Sequence, residues 1–254
     1  MATVRTLVLR APGTNCDRET AFAFQQAGAD TSLVHISRFI CGRDRLANYQ
    51  IMVVPGGFTY GDDLGAGRVM ANQMRLKLGE NIARFVESGG LILGICNGFQ
   101  VLVQAGILPD GEYRRQITLT TNDSGRFECR WVYLSINPNS QCVFTQGIER
   151  LYLPVAHGEG KLVAGEEVIG GLDAALYYTD EEGHRGAGYP HNPNGSLGDI
   201  AGICDATGRI FALMPHPERH IRHSQHPRWH TGSGDGQGDG FKIFRNAVDW
   251  VRGL

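Results

Sequence analysis

No stretch of this sequence approaches the roughly 18 consecutive apolar residues with which a helix crosses a bilayer. The opening MATVRTLVLRAPG reads as a short strand and a turn, without a signal-peptide cleavage pattern. Both absences predict a cytoplasmic protein with no membrane partner. An excess of charge of one sign is missing too: 24 Lys plus Arg stand against 26 Asp plus Glu, a net charge of -2, with no basic block. A phosphate backbone would find little to hold, which argues against nucleic acid as a partner. No CxxC spacing occurs among Cys16, Cys41, Cys96, Cys129, Cys142 and Cys204, and in a chain of 254 residues that favours reduced thiols over disulfides or zinc. A GxxxxGK[ST] loop is also lacking, so activation by a nucleotide phosphate has no cradle here. There is no internal repeat.

What is present is an alternation of strand and helix. Val4 to Leu9 reads as a buried strand, followed by a turn at Pro12-Gly13 and a helix to about Ala27, with a stop at Gly28. Thr31 to Ile36 and Ile51 to Val54 are the next strands, the latter running into Pro55-Gly56-Gly57; Leu78, Ile82, Phe85 and Val86 then mark one face of a helix that ends near Gly89. This pattern predicts an α/β fold with a mostly parallel central sheet flanked by helices, whose ligands bind at the carboxyl ends of the strands. Residues 118–215 change texture, with short strand-like runs at 131–136, 151–155, 175–178, 200–204 and 210–214, and so add strands, antiparallel in part, in the C-terminal half. The segment TGSGDGQGDG at 231–240 is too polar to pack, and residues 219–240 as a whole are expected to form a mobile loop within a single domain spanning 1–254. A helix with Phe241, Phe244, Val248 and Val251 on its apolar face closes the chain.

The chemistry concentrates in LILGICNGFQVL, residues 91–102. An apolar strand meets a helix with almost no loop, so the turn is sharp, small residues are needed where the backbones approach, and Cys96 at the apex is forced into an unusual conformation. Gly94-x-Cys96-x-Gly98 is thus the thiol form of a nucleophile elbow, with a helix N-terminus directed at the sulfur. A nucleophilic thiol needs a base, and Pro215-His216-Pro217-Glu218 follows the strand 210–214. If the segment is extended, His216 and Glu218 face the same way and the carboxylate orients the imidazole. Gly56-Gly57 at the end of the third strand offers a backbone N–H for a developing oxyanion, and the helix-start amide of Asn97 a second.

The segments PGGFTYGDD, LGICNGFQVL, PVAHGEG, NPNGSLGDIAGI and MPHPERH, in this order, resemble the glutaminase of phosphoribosylformylglycinamidine synthase, a class I (triad) glutamine amidotransferase of flavodoxin-like architecture. The likeness runs from GTNCD near residue 13 to the C-terminal helix. It implies Cys96 as nucleophile, His216 as base, Glu218 as its orienting partner, and the amides of Gly57 and Asn97 as oxyanion donors. Gln100 would hold the amino-acid end of the substrate L-glutamine, with the backbone around His157 bordering the same pocket. It further implies no cofactor and no metal in this chain, with ATP and Mg on a synthetase subunit that receives the ammonia, and a small accessory subunit as a further partner. A separate glutaminase subunit is usually shorter near its C-terminus, whereas Arg219 to Gly240 here is long and rich in His and Gly. His216, His220, His223, His226 and His230 lack the HExxH spacing of a zinc site. Within catalysis the rivals are an amidotransferase with another acceptor and a thiol α/β-hydrolase; outside it, a silent scaffold for a synthetase.

Overall fold

The computed structural model describes residues 3–112, 115–231 and 236–253. In chain order the strands and helices are β1 (Arg5–Arg10), α1 (Asp17–Gln26), β2 (Asp30–His35), α2 (Ile36–Ile40), β3 (Ile51–Val54), α3 (Arg68–Glu87), β4 (Leu91–Ile95) and α4 (Asn97–Ala105). There follow β5 (Ile117–Thr121), β6 (Glu128–Ile136), β7 (Arg150–His157), β8 (Glu159–Ala164), α5 (Glu166–Gly171), β9 (Asp173–Thr179), β10 (Ile200–Cys204), β11 (Ile210–Leu213) and α6 (Phe241–Arg252).

The main sheet runs β2-β1-β3-β4-β11-β10-β9-β6-β7. Its first half is parallel, since β1 pairs β2 and β3, and β4 pairs β3 and β11, all in the same direction. From β11 outward every pairing is antiparallel. β3, β4, β10 and β11 are buried at every position, as strands covered on both faces must be, whereas β7 alternates buried and part-buried residues and so shows one face to the outside. A small second sheet pairs β5 with β8.

Right-handed crossovers decide where the helices sit. β1-α1-β2 steps to one side of the sheet order and β3-α3-β4 to the other, so α1 and α3 lie on opposite faces. α1 packs with α6, where Phe24 and Phe244 meet edge to face with centroids 5.0 Å apart. α3 packs with α4 over β4.

The same topology sets the working edge. β3, β4 and β11 are adjacent and parallel, with Val54 opposite Gly94 and Leu213 opposite Ile95. The residues leaving their carboxyl ends, Gly57, Cys96 and His216, therefore emerge side by side.

Residues 219–231 lie over β6 and β7. The rings of His220 and His226 pack on Trp131 at 5.1 and 5.9 Å, His226 also packs on Tyr152 at 5.3 Å, and Arg228 donates to the Tyr133 hydroxyl at 3.0 Å. Asp239 accepts from the Tyr152 N–H at 2.7 Å, and Arg222 and Gln237 form a bridge. Residues 232–235 of the expected loop lie outside the described residues.

Candidate active site

Cys96 has φ 50° and ψ -105°, a conformation that costs a non-glycine residue about 1–3 kcal/mol and persists only where the surroundings over-determine it. Those surroundings are visible. The Cys96 N–H donates to Leu213 O at 2.8 Å on the β11 side, and its carbonyl accepts from the Gln100 N–H at 3.2 Å as α4 begins. Gly98 lets α4 close on the sheet, because a Cβ there would lie 1.8 Å from the Val54 carbonyl oxygen. The elbow read from the sequence is thus formed, and its thiol is buried with Sγ 3.7 Å from the Ala156 carbonyl oxygen.

His216 follows β11, and its N–H is held by Pro154 O at 2.8 Å. Its Nδ1 lies 2.6 Å from Glu218 Oε1, and both side chains are buried. The expected meeting of the two occurs by a different route. His216 is extended, but Pro217, Glu218 and Arg219 form a single 3-10 turn, so Glu218 is folded back under the imidazole instead of continuing a strand. Burial opposes charge on His216, yet the Glu218 carboxylate, then Cys96 and Cys16, raise its proton affinity well above that of an ordinary imidazole. Its Nε2 is buried and makes no hydrogen bond of good geometry among the described residues, although the Cys96 side chain stands close enough to act on the ring.

The Gly56–Gly57 peptide is set from behind. Cys16 N–H donates to Gly56 O at 3.2 Å and Phe58 N–H to Gly13 O at 3.0 Å. In a trans peptide the N–H points opposite to the C=O, so anchoring Gly56 O on the Cys16 side turns Gly57 N–H away from it, toward the cavity that Gly57 lines with Cys96. Gly57 has φ 146°, a backbone closed to a side chain without strain.

That cavity, about 140 Å³, is lined by Gly57, Asp62, Cys96, Gln100, Phe127 and His157 among others. Gln100 is buried with both ends of its amide engaged, Nε2 on the Glu159 carbonyl and Oε1 on Asn97 Nδ2 at 2.9 Å. Asn97 Oδ1 accepts from the Thr59 N–H at 3.1 Å and from the Thr59 hydroxyl at 2.8 Å, tying the loop after β3 to the elbow. His157 is buried, and Asn122 fixes its tautomer. Asn122 Nδ2 donates to the carbonyls of Arg126 and His157, so Oδ1, 3.1 Å from His157 Nδ1, is left to accept and the ring proton sits on Nδ1. Burial first, and the charge of His216 second, lower its pKa to about 4 and keep it neutral.

Two neighbours escape the sequence reading. Cys16 Sγ lies beside the His216–Glu218 pair, an atom of each falling within 4.8 Å of the others. That spacing suits a metal ion, but Arg219 Nη2 already brings a guanidinium to the sulfur at 3.1 Å. Asp62 lines the cavity, although its stretch, Tyr60 to Gly67, looks like a polar loop facing outward. Neither has a local signal, because only the pairing of residues 13–16 with 56–58 and the docking of the loop on Asn97 bring them in. His220, His223, His226 and His230 form no ligand set among the described residues.

The class is that of the glutamine amidotransferases: residues 3–251 match the model of a CobB/CobQ-like glutamine amidotransferase domain. The chain is 64% identical over 256 residues, 99% of both chains, to the phosphoribosylformylglycinamidine synthase subunit PurQ of Dehalococcoides mccartyi. It is 44% identical over 264 residues, 97% of both, to the subunit of the same name of Methanococcus maripaludis. Among solved structures it resembles a chain in the structure of PurLQS from Thermotoga maritima, with TM-score 0.76 and 33% identity over 98% of this chain and 100% of that one. It belongs to the family of phosphoribosylformylglycinamidine synthase PurQ subunits. The length of its C-terminal region is no departure from that family, since the first of these relatives is a separate subunit matched over 99% of each chain.

Proposed function

We propose that Cys96 attacks the carboxamide carbon of L-glutamine, with His216 taking the thiol proton and Glu218 holding the imidazole in place. The N–H groups of Gly57 and Asn97 receive the oxyanion. Collapse of the tetrahedral adduct breaks the C–N bond as His216 returns the proton to the leaving nitrogen, releasing ammonia and leaving a γ-glutamyl thioester. Water, deprotonated by His216, cleaves the thioester to glutamate and restores the thiol. Gln100 and the backbone around His157 border the amino-acid end.

In this reading the chain is the glutaminase component of phosphoribosylformylglycinamidine synthase. Its ammonia passes to a synthetase subunit, which carries ATP and Mg and converts formylglycinamide ribonucleotide to the amidine in purine biosynthesis, a small accessory subunit completing the complex. This chain needs no cofactor of its own, acts as a single domain over 1–254, and works in the cytoplasm; no helix among the described residues is long and apolar enough to cross a membrane.

The observation that carries the reading is the strained, buried thiol of Cys96 at the same sheet edge as the His216–Glu218 pair, Nδ1 to Oε1 2.6 Å. The test is amidation of formylglycinamide ribonucleotide by the reconstituted complex, with glutamine or ammonium as nitrogen donor. Cys96→Ala should abolish the glutamine-dependent rate and spare the ammonium-dependent one. Equal glutamine-dependent rates with and without the thiol would overturn the reading.

A further inference from the structure

The cavity beside Cys96 is lined by two acidic residues, Asp62 and Glu159, and by no Lys or Arg among its described lining residues. Asp62 lies in the loop between β3 and α3 with φ 55°, in the left-handed region. Its Oδ1 accepts from Gly67 N–H at 3.1 Å and from Asn97 Nδ2 at 3.3 Å. Both donors are neutral, and no cation figures among the groups acting on its charge. Burial raises its proton affinity, and these two donors lower it in part. Oδ2 takes no hydrogen bond among the described residues.

A part-buried carboxylate gives up part of its hydration, and a cation that meets it forms a strong, charge-assisted hydrogen bond. In the reaction assigned to this cavity, L-glutamine supplies such a cation, its α-ammonium group. We propose that Asp62 is the residue that receives this ammonium, through Oδ2, while Oδ1 keeps the loop closed on Gly67 and on Asn97, the residue that follows the nucleophile. The division of labour between the two oxygens fixes the distance from the ammonium site to the thiol. A free amino acid is then seated with its carboxamide on Cys96, and a simple amide, or a glutamine within a peptide whose nitrogen is acylated, gains nothing from the site. Glu159 is the weaker candidate. Its backbone carbonyl braces Gln100, but its carboxylate has no hydrogen-bonded frame comparable to that of Asp62 Oδ1.

The inference rests on the thiol amidotransferase reading, and a substrate lacking only the amino group separates the two. In the assembled complex, kcat/KM for hydrolysis is measured with L-glutamine and with glutaramate, the same chain without the α-amino group. Asp62→Asn keeps an acceptor for Gly67 and removes the charge. It should lower kcat/KM for glutamine by about tenfold to a hundredfold, the worth of a hydrogen bond to a charged group, with a much smaller loss for glutaramate, so that the preference for glutamine collapses. Asp62→Glu, which restores the charge, should recover part of that preference. Equal losses with both substrates would reduce Asp62 to a support for the loop and overturn the proposal, as would a collapse of the preference in Glu159→Gln but not in Asp62→Asn. A wild-type complex that hydrolyses neither amide would overturn the amidotransferase reading itself.

Discussion

Nδ1 of His216 and Oε1 of Glu218 are 2.6 Å apart with both side chains sealed from solvent, and this contact sets the proton affinity of the imidazole against the cost of burying its charge. The carboxylate is the first of the groups that raise it. Glu218→Gln should therefore let burial dominate, and the acid limb of the pH profile of glutamine hydrolysis should move to lower pH while the maximal rate falls. A limb that stays in place would mean that the carboxylate does not act on the base. Because the residues work as a unit, the double variant lacking both side chains should lose far less than the product of the single losses.

Cys96→Ala should leave the fold intact, with a melting temperature within a few degrees of wild type, and should lower glutamine turnover by about 10⁴-fold or more, as loss of a nucleophile does. Steady-state hydrolysis and a calorimetric scan of the same preparation check both halves.

Gly98→Ala tests the elbow from its other side. A Cβ at residue 98 meets the Val54 carbonyl oxygen at 1.8 Å, and backbone cannot rotate aside as a side chain can. The strand β3 and the start of α4 must separate, at a cost of about 3 kcal/mol or more for overpacking a fixed contact. Urea midpoints measure it, and a variant with unchanged midpoint would show that α4 is free to shift.

Asn97 was legible in the sequence only as an amide at a helix start; its side chain proves to be a clasp. Asn97→Ala keeps the backbone N–H but leaves the buried Thr59 N–H and hydroxyl without their acceptor. Leaving buried polar groups unpaired costs about 1–3 kcal/mol, and the loop that carries Asp62 loses its tie to the elbow. The expected result is a raised KM for glutamine with a smaller change in kcat, separating the clasp from the oxyanion donor beside it.

What the sequence showed and what it hid divide along the same line. The elbow was readable because the glycines at 94 and 98 bracket a three-residue turn with Cys96 at its centre, and His216 and Glu218 because only one residue separates them. β3, β4 and β11 could be read as strands, but not their adjacency, which is what gathers Gly57, Cys96 and His216. Cys16 and Asp62 reach the site only through the pairing of residues 13–16 with 56–58 and the clasp on Asn97, relations between distant parts of the chain that leave no local pattern. β5 and β8 stayed hidden for a related reason. Each pairs only with the other, in a sheet of its own, and alternates too briefly to stand out from the turns around it.

The last prediction sets two buried histidines against each other. His157 is neutral in the fold, its pKa lowered to about 4 by burial and by His216, while an unfolded histidine titrates near 6.5. Between these values the unfolded chain binds the proton and the folded one does not, so stability falls as pH drops from about 6.5 to about 4, with a slope of up to about 1.4 kcal/mol per pH unit from this group. His216 has the opposite sign. Its folded proton affinity exceeds the unfolded one, so its contribution is fully present below about 6.5 and is lost as pH rises through the folded value. His157→Asn should therefore flatten the acid side of a plot of unfolding free energy against pH, and Glu218→Gln should flatten the alkaline side. Urea titrations at half-unit intervals from pH 4 to pH 9 read both slopes from one protein preparation, and an acid slope that survives in His157→Asn would place the titrating group elsewhere.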